Sequence, residues 1–181
     1  MAKTPDVTIE NGQMRLVIAS DGIAKSLVFK PTDTECLIQG KRVPVSTITM
    51  PRPYQNEVKL AYPNKTTTFK SNAIRQEGDK LVISYELVPW EATVSVKVAE
   101  DYLAFTLEAL NLTEAYGITM TEPPISEMWF LRLPVRDLGH WGDWLNVLWN
   151  DELAVNVLAA DPCANADSEE GEGYRVMQAG T

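Results

Sequence analysis

The strongest constraint on this chain is period-two alternation of apolar and polar residues, broken at short intervals by turn dipeptides. "VTIE" (7–10) runs into Asn11-Gly12, a hairpin signal, and "QMRLVIAS" (13–20) follows with Met14, Leu16 and Ile18 on one face. Asp21-Gly22 turns the chain into "IAKSLVFK" (23–30), and "PTDTE" (31–35) turns it again into "CLI". This is a three-stranded meander. The pattern continues through "VSTITM" (45–50), "NEVKLAY" (56–62) and "TTTFKSNAIRQEG" (66–78), which ends at Gly78-Asp79. It resumes in "KLVISYELV" (80–88), with Leu81, Ile83, Tyr85 and Leu87 on one side, and in "ATVSVKVAE" (92–100) and "YLAFTLEALNLT" (102–113). Side chains alternate across a strand, so each segment presents one face for burial. The connections are too short for parallel crossovers, so the strands are antiparallel. The expected fold is all-β: an antiparallel two-sheet β-sandwich with few or no helices.

The second half is less regular. Residues 114–126 read as a long connection containing Gly117 and Pro123-Pro124. "EMWFLRLPV" (127–135) and "ELAVNVLAA" (152–160) read as strands, the latter with Leu153, Val155 and Val157 on one face. "DPCANADSEEGEG" (161–173) is acidic and rich in turn residues and reads as a mobile loop. "YRVMQAG" (174–180) begins one more strand, on which basis 1–181 is expected to be a single domain and the N-terminal module of a longer protein.

Composition narrows the partners. The formal charge is −9, and the 16 basic residues are scattered, which argues against nucleic acid and against anionic membrane surfaces. No apolar run is long enough for a transmembrane helix, so membrane insertion is not expected. The start, "MAKTPDVTIENG", carries no signal-like apolar region; export to the periplasm or beyond would require a signal that has been removed. Cys36 and Cys163 are expected to be small buried hydrophobes, their spacing being uninformative about pairing. Two cysteines and one histidine show no zinc-ligand spacing, and no phosphate-cradling glycine motif occurs, so no metal or cofactor is expected.

The stretch "GHWGDWLNVLWN" (139–150) holds three of the five tryptophans and the sole histidine. Trp141, Trp144, Leu145, Leu148 and Trp149 fit an amphipathic helix by spacing. The alternative is a hairpin in which 144–149 pairs with 152–158 across Asn150-Asp151, favoured because Gly139 and Gly142 weaken a helix start. As packing, Trp144, Leu145, Val147, Leu148 and Trp149 would be buried between layers. As a site, Trp129, His140, Trp141, Asp143 and Trp144 would bind ligand: indole faces match the C–H faces of sugar rings, and neighbouring carboxylates accept hydrogen bonds from the hydroxyls. Nucleophilic triad chemistry would rest on His140 alone, with no G-x-S-x-G. Paired carboxylates for glycoside hydrolysis remain open, drawn from Asp137, Asp143, Asp151 and Glu152.

The layout of residues 7–38, "VTIENGQMRLVIASDGIAKSLVFKPTDTECLI", resembles the start of galactose mutarotase-like super-sandwich domains, found at the N-termini of bacterial glycoside hydrolases and in polysaccharide lyases. The resemblance implies two large antiparallel sheets packed face to face beside an adjoining catalytic domain of the same polypeptide. Mutarotases of this family use several histidines and a glutamate, which a single histidine does not supply. The chain is therefore expected to be a non-catalytic module supporting that domain, with glycan as its candidate ligand. The alternatives are a small carbohydrate-acting enzyme and a structural or protein-interaction domain.

Overall fold

The computed structural model describes residues 4–51, 66–113 and 125–181. The expected segments 56–62 and most of 114–126 lie outside these residues. The protein is all-β: among the described residues 62% are in strands, and every strand pairing there is antiparallel. A four-stranded sheet is the expected meander, β1 (Val7–Glu10), β2 (Met14–Ile18) and β3 (Ala24–Phe29), extended by the short β4 (Thr34–Glu35). A strongly curled eight-stranded sheet contains β5 (Ser46–Pro51), β6 (Thr66–Glu77), β7 (Lys80–Tyr85), β8 (Trp90–Val98), β9 (Leu103–Leu112), β10 (Glu127–Arg136), β14 (Asn165–Gly171) and β15 (Tyr174–Gly180). Its order is β14-β15-β10-β5-β6-β7-β8-β9. A third, small sheet is formed by β11 (His140–Gly142), β12 (Val147–Trp149) and β13 (Ala154–Asn156).

One continuous core joins the three sheets. Val7, Ile9, Leu16 and Ile18 of the meander pack with Ile48, Ile74, Leu81 and Ile83 of the large sheet and with Leu148, Val155 and Val157 of the small one. Residues 36–38 stitch two layers together: the Cys36 amide donates to the Leu27 carbonyl, and the Ile38 amide to that of Pro134. The alternation thus determines which face of each strand is apolar, and layer packing buries it.

A buried polar cluster pins the centre of the sandwich. The Ser46 hydroxyl donates to the Trp129 carbonyl at 2.9 Å and lies 2.8 Å from the Tyr85 hydroxyl, which therefore donates to it. Burial pushes the Tyr85 phenol up to about 12. The native state thus retains this proton above pH 10, where the unfolded chain releases it, so stability falls as pH rises from about 10 to about 12. Alkaline denaturation is expected to steepen in that window, and Tyr85→Phe to remove that component at a cost near neutrality of about 1 kcal/mol. A pH-resolved unfolding series on both proteins checks this.

Several expectations are corrected by the turns. The first hairpin closes around Gly12 and Gln13, one position later than the Asn-Gly dipeptide suggests, because the Asn11 side chain accepts the Gln13 and Met14 amides. Leu87 does not continue the buried face of β7: it sits at φ 63° in the turn before β8 and is 88% exposed. The acidic segment 161–173 is not a loop throughout. Asn165–Gly171 forms edge strand β14, paired along its length with β15, and its exposed carboxylates deter further edge pairing. Cys36 is buried as expected, but Cys163 is exposed and both are free thiols. Finally, β10 carries a bulge between Phe130 and Leu133, with Leu131 at φ 56°. A left-handed leucine costs about 1–3 kcal/mol, so surrounding packing must hold it there.

Candidate functional site: a polar cleft beside an exposed tryptophan turn

The segment 139–150 is a hairpin arm, not a helix. β11 pairs with β12 through His140–Trp149, Trp141–Leu148 and Gly142–Val147, and β12 pairs with β13 through Leu148–Val155. A 3-10 turn, Asp143–Leu145, links β11 to β12 and is closed by Asn146 at φ 45°. The second turn spans Asn150–Leu153, where the Asn150 side chain accepts the Glu152 and Leu153 amides. Gly142 allows close packing here: a Cβ would lie 3.0 Å from the Val147 side chain and 3.1 Å from the Trp149 ring.

Only part of this arm packs as expected. Leu148 is buried in the core, but Trp144 is 99% exposed and Leu145 61%. The reason is the length of the strands: β11 and β12 pair over three residues each, so the Asp143–Leu145 turn projects past the layer that would cover it. Trp144 and Asp143 therefore share the tip of the arm.

His140 and Trp141 lie on the opposite side of that turn and wall a cleft of about 260 Å³. Across the cleft stand Glu170, Tyr174 and Arg175, delivered by the β14–β15 hairpin, and Asp137 from the end of β10. The Asp137 amide donates to the Gly173 carbonyl at 3.0 Å, which fastens the two walls, and its carboxylate accepts the Gly139 amide at 2.8 Å. The Arg175 guanidinium lies over the Trp141 ring, 4.5 Å from its centroid, and pairs with Glu170 at 3.3 Å. His140 stacks on Trp149, with centroids 5.4 Å apart and 23° between planes. Lys41 lies over the Tyr174 ring at 5.2 Å.

Of the five residues expected to bind ligand, the structure brings His140 and Trp141 into this cleft and leaves three elsewhere. Asp143 and Trp144 are on the exposed tip. Trp129 is on β10 between Thr47 and Gly180, its indole lying close over Gly180. Among the carboxylates weighed as catalytic pairs, only Asp137 lines the cleft; Asp151 and Glu152 sit in the exposed β12–β13 turn. The residues not anticipated are Glu170, Tyr174 and Arg175. They come from about 30 to 35 positions away, and the pairing of β14 with β15 brings them to face β11.

No protein-family model and no curated protein matches this chain. Among the described residues, no three His, Cys, Asp or Glu side chains are grouped to hold a metal ion, and no helix is long and apolar enough to cross a membrane. Chemically, the cleft is lined by two aromatic rings, each with a cation over one face, an oriented guanidinium, an imidazole and two carboxylates. That set suits a polar, multi-hydroxyl ligand better than an apolar one.

Proposed function

We propose that this chain is a non-catalytic, galactose mutarotase-like β-sandwich module of a carbohydrate-active enzyme, a glycoside hydrolase. It supports an adjoining catalytic domain and contacts glycan in the cleft of His140, Trp141 and Tyr174. The observation that carries the reading is the convergence of Trp141, Tyr174, Asp137, Glu170 and Arg175 around one open cleft. Sugar rings need C–H-facing aromatic surface and hydroxyl partners together, and acidic and basic groups side by side serve both donor and acceptor hydroxyls. The Arg175–Glu170 pair and the cation over Trp141 fix those groups before ligand arrives. The chain's charge of −9 selects neutral glycans over polyanionic ones.

Calorimetric titration with a panel of neutral oligosaccharides is the test. A saturable heat signal is expected for at least one, with Trp141→Ala weakening it about tenfold or more. Background heats throughout would remove glycan contact from the reading. Turnover of any of these sugars by the chain alone, lost in Asp137→Asn or Glu170→Gln, would replace the accessory role with an enzymatic one.

A specific observation also favours the interaction-domain reading. Trp144 and Leu145, neighbours in one turn, are exposed apolar side chains, and contiguous exposed apolar surface marks contact surfaces. The two readings use different residues, so Trp144→Ala leaves glycan binding unchanged if the cleft is the sugar site.

A further inference from the structure

A second hollow, of about 310 Å³, opens between the meander, β9, β10 and the small sheet. Its walls are apolar: Leu27 and Phe29 from β3, Leu103 and Phe105 from β9, Leu131 from β10 and Val155 from β13. Protein interiors close-pack, so among the described residues an apolar opening of this size between layers is room for a small apolar occupant. Its volume falls at the lower end of the range of small-molecule pockets, about 300–1,000 Å³. The backbone points the same way. Leu131, at φ 56° in the β10 bulge, is among the residues of this wall. Bulges re-aim side chains, and left-handed non-glycine residues concentrate at ligand sites.

We infer that this hollow binds an uncharged or cationic amphiphile, its apolar tail on the Leu27–Phe105–Leu131 walls and its polar head at the mouth beside Asp101 and Tyr102. The polar lining is confined to Asp101, Tyr102 and Asn156, and the Asn156 amide is already donated to the Leu145 carbonyl. That leaves a carboxylate and a phenol to meet the head group. Asp101 and the overall negative charge repel a carboxylate head and accept a hydroxyl or ammonium. This inference is independent of the glycan reading, which uses the other cleft.

The hollow supplies its own reporter. Cys36 lines it and is 1% exposed, whereas Cys163 is exposed and lies outside it. In the full chain, N-phenyl-1-naphthylamine, a neutral apolar fluorophore, is expected to bind saturably. Dodecanol and dodecylamine should displace it, with dodecanoate weaker by about fivefold at low salt. Asp101→Asn should narrow that gap. Saturating dodecanol should also slow modification of Cys36 by methyl methanethiosulfonate about tenfold while Cys163 reacts at its original rate. Leu103→Trp, which fills the hollow from the edge strand, should abolish fluorophore binding. If that variant does not fold, the Cys36 measurement on the unaltered chain decides instead, read as protection beyond the slowing of global unfolding by dodecanol in a denaturant titration. Absence of saturable binding, equal protection of both cysteines, or binding that survives in folded Leu103→Trp overturns the site. Dodecanoate binding as well as dodecanol overturns the assignment of the head group.

Discussion

Gly22→Ala is expected to lower the unfolding free energy by about 3–4 kcal/mol, the sum of left-handed strain and overpacking. Gly22 adopts φ 76° in the β2–β3 turn, and a Cβ there would lie 2.9 Å from the Ser71 hydroxyl and 3.2 Å from the Ser71 carbonyl carbon. The neighbouring atoms include backbone, so the contact is not relieved by a rotamer change. The same turn is hydrogen-bonded into the core: the Gly22 carbonyl accepts the Val45 amide at 2.8 Å and the Ser71 hydroxyl at 3.0 Å. Movement of the turn would leave those buried donors unmatched. For a chain of this length the melting temperature should drop by about 10 °C in a thermal unfolding scan. Gly12 gives the contrast. Its φ is not left-handed and nothing lies within 4 Å of its Cβ position. Gly12→Ala should therefore be neutral to slightly stabilising, by up to about 1 kcal/mol, through a less flexible unfolded chain. Equal effects of the two substitutions would show that the Gly22 turn is not packed on β6 in solution.

Leu148→Ala is expected to cost about 3 kcal/mol, in the middle of the range for a buried leucine. Leu148 is 2% exposed at the centre of the small sheet, between Trp141 and Val155, and it reaches both the common core and the floor of the polar cleft. It anchors an arm whose strands are only three residues long, so its loss should loosen His140 and Trp141 as well as the fold. Trp144→Ala removes a larger side chain from the same arm, yet should change stability by no more than about 0.5 kcal/mol, because Trp144 is already in water. Denaturant titration of the two variants separates them. A large loss in Trp144→Ala would place that indole against protein in solution.

These two pairs show where residue type and residue role part company. Asn11-Gly12 is the stronger turn signal by composition, but of the two turn glycines it is Gly22 that a side chain would disrupt. Its importance comes from Ser71, a residue 49 positions away that no local pattern connects to it. Likewise Trp144 and Leu148 belong to the same apolar spacing. Whether each is buried depends on how far the covering layer extends, and three-residue pairing stops it short of the turn.

The candidate site follows the same division. His140 and Trp141 were readable as candidates because aromatic and titratable residues are concentrated in 139–150. Trp129 and Asp143 were equally eligible by type, and the direction of β10 and the 3-10 turn carries them elsewhere. Glu170, Tyr174 and Arg175 had no signal at all: an acidic, turn-rich segment reads as solvated chain until a partner strand is known.

Alternation and turn residues by themselves determined the class of this protein, its antiparallel connectivity and the inward face of most strands, since those properties depend on neighbours two to four positions apart. The tertiary structure alone decided the curl of the eight-stranded sheet, the folding of the acidic segment into an edge strand and the assembly of both hollows. Those depend on pairings between residues distant in the chain, where backbone hydrogen bonds and layer packing outweigh local preference.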